Sequence, residues 1–208
     1  INDICDHVVE FAPDALLLMV TNPVDVLTWH AWKRTGWERQ RVFGQAGVLD
    51  ASRMACFIAA ETGLSIKDIH AMVIGGHGDY MVPLTRYSTI NGLPANTFLD
   101  DDSVARINER TRHGGSEVLA LRQQSSAYNA PAAAIATMVD AISHDRRRVL
   151  PCVCNLDGEY GESDITAGVP AILGRNGIEQ VVELPLDESE LAGFQASIDV
   201  IRTDLKNL

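Results

Sequence analysis

Short apolar runs and amphipathic segments alternate over the first third of the chain. Residues 1–11 have the apolar spacing of a helix, whereas residues 15–20 form an unbroken apolar run, typical of a strand covered on both faces. A helix over residues 22–36, a short strand at 42–43 and a helix over 50–61 are predicted to follow. This order favours an α/β region with parallel strands.

The helix after the first strand has sequence signals at both ends. Asn22 is a good N-cap, Pro23 has the fixed φ that suits the first helical position, and Gly36 can end the helix. These signals account fully for Asn22 as a structural residue. Its place directly after a buried strand also suits a functional site, because α/β folds put their sites there.

The rest of the chain combines longer helices with antiparallel strands. The predicted elements are a strand at 69–74, helices at 100–122 and 129–144, and strands at 148–155 and 164–184. The last strands are expected to be antiparallel because Asp157-Gly158 and Asn176-Gly177 are strong hairpin signals. The pattern therefore predicts an α/β fold that gives way to an α+β arrangement.

Two signals refine the predicted helices of the second half. Gly114-Gly115 predicts an irregularity within the helix over 100–122, since glycine weakens helix interiors. Asp187 and Glu190 resemble a capping box at the start of an amphipathic C-terminal helix. Because residue 1 lies inside a predicted helix and two short parallel strands cannot form a stable sheet alone, we expect further strands and helices to precede it.

The chain is acidic, with a formal net charge of −11 and a sequence pI of about 4.9. Its basic run at 146–148 is short, so no nucleic-acid partner is expected. The apolar run at 15–20 is much shorter than the ~20 residues of a membrane span, and no signal-like segment opens the chain. The sequence thus predicts a cytoplasmic protein without membrane attachment.

Lysine is rare, and cysteine shows no metal-binding spacing. A lysine-poor acidic surface suits either a high-salt cytoplasm or ordinary acidic solubility, and the sequence leaves both open. Cys152 and Cys154 would share one face of a strand, where two small buried apolar groups are expected rather than a metal site. No H-E-x-x-H, G-x-S-x-G or glycine-rich phosphate loop occurs in the sequence.

His77 lies in the segment GGHGD, directly after a predicted strand. The glycines beside it permit unusual backbone angles and leave space around the ring, so a substrate could approach closely. A histidine at the end of an apolar strand is therefore a candidate for proton transfer. The alternative is a glycine-rich turn that happens to contain a histidine.

Asp50 and Arg53 lie three residues apart at the predicted start of a helix, in the segment LDASR. They could simply form a surface ion pair. However, a cation in the first helical turn is disfavoured by the helix dipole. An arginine kept at such a position is therefore a candidate functional residue. An arginine beside a helix N-terminus can bind a small carboxylate through two parallel N–H···O bonds.

Taken together, VTNPVD, LDASR and GGHGD resemble three signature motifs of the lactate/malate dehydrogenase family, in the same order along the chain. The resemblance implies NAD as cofactor and His77 as the residue that exchanges a proton with a 2-hydroxy acid. It implies that Asp50 orients the ring and that Arg53 and Asn22 contact the substrate. Val20, Asn22 and Ser126 (in SSAYNAPAAA) are the implied cofactor contacts, Ser126 with the weakest match.

The resemblance also implies an architecture. Residues 1–45 would be the C-terminal part of a Rossmann-type dinucleotide-binding domain with a parallel sheet, and residues 46–208 an α+β catalytic domain with an antiparallel sheet. The family's glycine-rich loop, its ribose-binding acid and its substrate-reading arginine loop would all precede residue 1. A homotetramer or a homodimer is expected, and no metal is implied.

The details favour malate-type members, for which GGHGDYMVPLTRYSTINGLP and SAYNAPAAA are closer matches than for lactate enzymes. Tyr80 and Ser125 depart from the residues usual at these positions. The expected activity is reversible NAD-dependent oxidation of malate to oxaloacetate. Lactate dehydrogenase, a noncatalytic oligomerising module and, more distantly, an NAD-dependent glycosidase are the alternatives, the last requiring metal ligands that the sequence does not provide.

Overall fold

The apolar runs from the start and the middle of the chain meet in one sheet. A computed structural model of the protein describes residues 1–123 and 127–208. The strands are β1 (Leu17–Met19), β2 (Val42–Gly44), β3 (Ile69–His70), β4 (Val73–Ile74), β5 (Val82–Pro83), β6 (Thr89–Ile90), β7 (Leu93–Pro94), β8 (Arg148–Asp157), β9 (Ser163–Gly174) and β10 (Gly177–Val181). The helices are α1 (Asn2–Phe11), α2 (Val24–Thr35), α3 (Gly47–Thr62), α4 (Asp101–Arg122), α5 (Asn129–Ser143) and α6 (Glu188–Leu205).

The main sheet has the strand order β1-β2-β8-β9-β10. β1 and β2 are parallel, whereas β8, β9 and β10 form an antiparallel meander that joins β2 at the Gly44–Val153 pair. The predicted change from a parallel to an antiparallel arrangement is confirmed. The sheet also runs across the predicted domain boundary between residues 45 and 46, so the two parts share one backbone hydrogen-bond network.

The core lies on β8 and β9, whose central residues are buried on both faces. Helices α5 and α6 pack against this meander and contribute Met138, Phe194 and Ile198, each fully buried. Cys152 and Cys154 are buried apolar groups, as predicted, and burial raises the pKa of the Cys152 thiol to about 12. These two cysteines are therefore packing residues.

Helices α4, α5 and α6 confirm the predictions closely, and the Asp187–Glu190 capping box is present. The irregularity predicted at Gly114-Gly115 is wrong, because α4 continues through both glycines. Their lack of side chains instead allows close contact with α3: a Cβ on Gly114 would lie 3.3 Å from Cδ of Arg53. Gly114 therefore serves packing between two helices.

Two predicted helix starts are wrong. Helix α2 begins at Val24, after a cis Asn22–Pro23 bond, so Pro23 rather than Asn22 is the N-cap residue. Helix α3 begins at Gly47, three residues before Asp50, and the Gly47 backbone packs on Pro151, where a Cβ would clash at 2.6 Å. Arg53 thus lies beyond the first turn, and the argument from an unfavourable helix dipole does not apply to it.

The strand predicted over 69–74 is divided into β3 and β4, which belong to different small sheets. β3 pairs with β6, and β4 pairs with β5. Ile69 and Val73 pack in the cluster beside α3, whereas Ile74 belongs to the main core, so the chain passes from one cluster to the other within β4. The break leaves β4 directed at the meander, where the next residue, Gly75, pairs with Gly168 of β9.

Candidate active site

Three neighbouring elements hold the loop that carries His77, each at a different residue. Gly75 exchanges two backbone hydrogen bonds with Gly168, of 2.8 and 2.9 Å. The Gly76 N–H donates to Oγ of Ser197 on α6 at 2.5 Å. The His77 N–H donates to Oδ2 of Asp25 on α2 at 2.8 Å. The backbone of the loop is therefore fixed by β9, α6 and α2 together.

Gly75 satisfies the conformational demand of this loop. Its φ is +84°, in the left-handed region that side chains rarely adopt, and a Cβ there would lie 2.9 Å from Oγ of Ser197. Gly75, two residues before the histidine, is thus required for the turn.

Asp50 and His77 form a carboxylate–imidazole pair. Asp50 Oδ2 lies 2.8 Å from His77 Nδ1, and the Asp50 side chain is 2% exposed against 20% for His77. Burial lowers the pKa of His77, but the hydrogen bond and charge of Asp50 and the charge of Asp25 outweigh it, so the pKa is raised. The pair can accept a proton on Nε2 while Asp50 stabilises the resulting imidazolium.

Arg53 joins this pair from one turn further along α3. Its Nη1 donates to Asp50 Oδ1 at 3.0 Å, so the two oxygens of Asp50 are divided between Arg53 and His77. Among the described residues, the other guanidinium nitrogens of Arg53 have no hydrogen-bond partner. The predicted ion pair is present, and the guanidinium retains donors for a substrate carboxylate.

A cavity of about 190 Å³ brings the predicted site residues together. Its lining residues are Val20, Asn22, Gln45, Leu49, Arg53, His77, Ala127 and Pro131. Asp50 lies behind His77 and Arg53 rather than on the surface of the cavity. Ser126 and Ser125 lie outside the described residues, and Tyr80 is 58% exposed.

Two polar residues near this cavity were not predicted from the sequence. Asp25 is 5% exposed, and burial raises its pKa to about 6 against the opposing effects of the His77 N–H and charge. Gln45 is also 5% exposed, and its Nε2 has no hydrogen-bond partner among the described residues. In the sequence, Asp25 is indistinguishable from an ordinary acidic residue in a first helical turn.

Metal and membrane features are not found in the described ranges. No group of three or more histidine, cysteine, aspartate or glutamate side chains in residues 1–123 and 127–208 could hold a metal ion. Within the same ranges, every helix is too short or too polar to span a bilayer.

The fold and the cavity together define a class of protein. An imidazole backed by a buried carboxylate, beside a guanidinium with free donors, can remove a hydroxyl proton from an acid whose carboxylate is held nearby. This cavity lies after a parallel strand, where α/β folds bind nucleotides. These are the parts of a nicotinamide-dependent hydroxy acid dehydrogenase.

The chain belongs to the lactate/malate dehydrogenase family. Residues 1–44 match the family's NAD-binding domain, and residues 47–208 match its α/β C-terminal domain. The protein is therefore an NAD-dependent dehydrogenase of 2-hydroxy acids, as the three motifs predicted.

Known proteins show the same similarity over the whole chain. Malate dehydrogenase of Thioalkalivibrio sulfidiphilus is 64% identical over 208 residues, which are 100% of this chain and 68% of that protein. A solved malate dehydrogenase from Salinibacter ruber is 42% identical with a TM-score of 0.95, covering 99% of this chain and 67% of the other. Cryptosporidium parvum lactate dehydrogenase, solved with lactic acid and nicotinamide adenine dinucleotide, is 37% identical with a TM-score of 0.95, covering 99% and 66%.

The cavity has a lining that fits the nicotinamide end of NAD. Val20 and Leu49 provide apolar surface, and Asn22 and Gln45 provide amide groups beside it. The Nε2 of Gln45 is buried and has no hydrogen-bond partner among the described residues, so the exposed amide of Asn22 is the polar group that a ligand in the cavity can reach. A flat aromatic ring that bears a carboxamide matches this combination.

Proposed function

We propose that the protein catalyses the reversible NAD-dependent oxidation of (S)-malate to oxaloacetate. The observation that carries this proposal is the division of the Asp50 carboxylate between His77 and Arg53 at the edge of one cavity. The arrangement places a proton acceptor and a carboxylate-binding group side by side. The identity to malate dehydrogenases supports the choice of substrate.

His77 and Asp50 carry out the proton transfer in this proposal. Neutral His77 accepts the hydroxyl proton of malate at Nε2, while Asp50 holds the Nδ1–H and stabilises the imidazolium. In the reverse direction the imidazolium returns the proton to the carbonyl oxygen of oxaloacetate. Because Asp50 keeps the pKa of His77 raised, the protonated form needed for reduction persists to a higher pH than in an isolated imidazole.

The other predicted residues bind and orient. Arg53 binds the substrate C1 carboxylate with the guanidinium donors that Asp50 leaves free, and Asn22 contacts the substrate and the cofactor. Val20 lines the cofactor side of the cavity. Ser126 is proposed as a cofactor contact on the resemblance alone. NAD, when bound, supplies the nicotinamide carbon that exchanges the hydride with C2 of the substrate.

Replacing His77 with Asn tests the proposal. The change should reduce oxaloacetate reduction by at least about 10³-fold, because asparagine cannot donate the proton. NADH binding, followed by fluorescence, should stay within about twofold because the cofactor contacts remain. Unimpaired turnover by the variant would remove His77 from the proton-transfer role.

Lactate dehydrogenase is the second candidate, since lactate enzymes share the fold at a TM-score of 0.95. A ratio of kcat/KM values for oxaloacetate and pyruvate distinguishes the two activities. Preference for oxaloacetate supports the malate proposal, and preference for pyruvate contradicts it. A noncatalytic module would turn over neither substrate.

Further parts of the proposal concern the whole protein. We infer a cytoplasmic homo-oligomer, a dimer or a tetramer, that acts at the malate step of the tricarboxylic acid cycle. Large apolar side chains that are exposed in the single chain, among them Phe11, Leu121 and Val149, support self-association. Light scattering measures the mass in solution, and a monomer would contradict it. The division into a cofactor part (1–45) and a catalytic part (46–208) remains a prediction.

A further inference from the structure

Asp25 is a buried carboxylate that the proposed mechanism does not use. Its Oδ2 accepts the backbone N–H of His77 at 2.8 Å, and its Oδ1 has no hydrogen-bond partner among the described residues. A fully buried carboxylate with one half unpaired reduces the free energy of unfolding. Packing and stability therefore do not explain an acid at this position.

The other neighbours of Asp25 do not neutralise its charge. From β9, the Thr166 hydroxyl donates to the Asp25 backbone carbonyl at 2.6 Å, and from α6 Ser197 binds the adjacent Gly76. The charged groups that act on Asp25 are His77, on the loop after β4, and Asp50, on α3. Arg53 acts on His77 from the same helix. The pKa of Asp25 is about 6, so it is an anion at neutral pH.

Without substrate, the charges of the site balance only when Asp25 is included. Asp50 is shared with Arg53, whose positive charge lowers the pKa of His77. An imidazolium beside this pair would leave one uncompensated positive charge in a poorly solvated site. The anion of Asp25 compensates it, and its charge contributes to raising the pKa of His77.

We propose that Asp25 is a positioning residue for the proton-transfer step, which fixes the backbone of His77 and supplies the second negative charge that stabilises its imidazolium. This inference rests on the proposed role of His77. It differs from the role of Asp50, because Asp25 acts through the backbone and through space rather than through a hydrogen bond to the ring.

Asp25→Asn separates the two contributions, since asparagine can still accept the His77 N–H but has no charge. In this variant, kcat/KM for oxaloacetate reduction should begin to decline at a pH about 0.5–1 unit lower than in the wild type. The reason is that the imidazolium no longer has the negative charge of Asp25 beside it. Ser197→Ala is the matched control. It removes the neighbouring hydrogen bond to Gly76 without a change of charge, so its pH profile should have the wild-type midpoint.

Heteronuclear NMR of the intact protein with isotope-labelled histidine rings gives a second measurement. It does not depend on whether the Asp25→Asn variant folds. The His77 signal, assigned by its loss in His77→Asn, should show an inflection near pH 6 from Asp25 in addition to its own titration. A single titration step for His77, or a wild-type profile in a folded Asp25→Asn, overturns the inference. If instead His77→Asn retains turnover, the proposed function itself fails.

Discussion

Asp50 divides its two carboxylate oxygens between an imidazole and a guanidinium, and this division determines what each partner can do. His77 receives a fixed orientation and a raised pKa, whereas Arg53 is held by one nitrogen only. The remaining donors of the guanidinium are available for a planar carboxylate. Substitutions at Arg53 should therefore affect substrate binding more than proton transfer.

Arg53→Lys should raise the KM for oxaloacetate by about 10- to 100-fold, since an ammonium group cannot make two parallel hydrogen bonds to a carboxylate. Steady-state kinetics measure this effect, and the KM for NADH should change little. Arg106→Lys is the control, because Arg106 is an exposed arginine of α4 paired with Glu61. Equal effects of the two variants on the KM would contradict the role of Arg53.

The buried charge of Asp25 also predicts how stability depends on pH. Its folded pKa of about 6 lies above the ordinary aspartate pKa of 3.8, so its contribution to stability is complete below pH ~4 and is lost as the pH rises through 6. At ~1.4 kcal/mol per unit, the loss is at most about 3 kcal/mol. The raised pKa of His77 acts in the same direction, and loss of the Asp25 charge in Asp25→Asn reduces that contribution too.

Urea denaturation of the wild type and Asp25→Asn at a series of pH values checks this sign. The free energy of unfolding of the wild type should fall below that of the variant between pH 5 and pH 7 by about 1–3 kcal/mol. Below pH ~4 the difference should be constant. Parallel curves over the whole range would show that Asp25 does not carry a raised pKa.

At the scale of elements, periodicity and end signals predicted the helices and the antiparallel meander. The Asn176-Gly177 signal matches the β9–β10 turn, and the Asp187 capping box begins α6. The start of α3 and the break between β3 and β4 depend on contacts with distant residues, such as Pro151 beneath Gly47. A local pattern carries no information on such contacts.

The paired glycines of α4 give a matched test at this scale. Gly114→Ala places a methyl group 3.3 Å from Cδ of Arg53, whereas the nearest neighbour at Gly115 is 3.7 Å away, an ordinary contact. Gly115→Ala should therefore stabilise the protein by about 0.5–1 kcal/mol through helix propensity. Gly114→Ala should stabilise the protein less than Gly115→Ala does. It should also raise the KM for oxaloacetate several-fold by displacing Arg53.

Thermal unfolding and steady-state kinetics of both variants make the comparison. If Gly114→Ala and Gly115→Ala have the same KM, α4 does not determine the position of Arg53. Two equal increases in melting temperature would lead to the same conclusion.

At the scale of the whole molecule, the site is assembled from segments that lie far apart in sequence. The three motifs around Asn22, Asp50 and His77 made the cavity predictable, because their combined order is specific to one family. Asp25 and Gln45 were not predictable, since their burial results from the packing of α2 and α3 around the His77 loop. The family motifs predicted candidate reacting groups but not the buried residues beside them.

The net charge of −11 predicts a response to salt. If the acidic surface is an adaptation to high salt, the melting temperature at pH 8 should rise as KCl increases from ~0.05 to ~1 M, because the Debye length shortens from about 14 to about 3 Å. The same series near the pI of about 4.9, where net repulsion vanishes, is the control and should be nearly flat. A flat series at pH 8 would favour ordinary acidic solubility.

The bridge between Gly75 and Gly168 limits how this enzyme can change. A methyl group at position 168 would lie 2.5 Å from the Gly75 carbonyl oxygen, which is backbone and cannot move aside without carrying the histidine with it. In a saturation library selected for turnover, position 168 should accept glycine alone, although it faces neither substrate nor cofactor. New substrate specificities would therefore have to arise from residues that line the cavity, while the Gly75–Gly168 backbone contact next to the His77 loop stays constant.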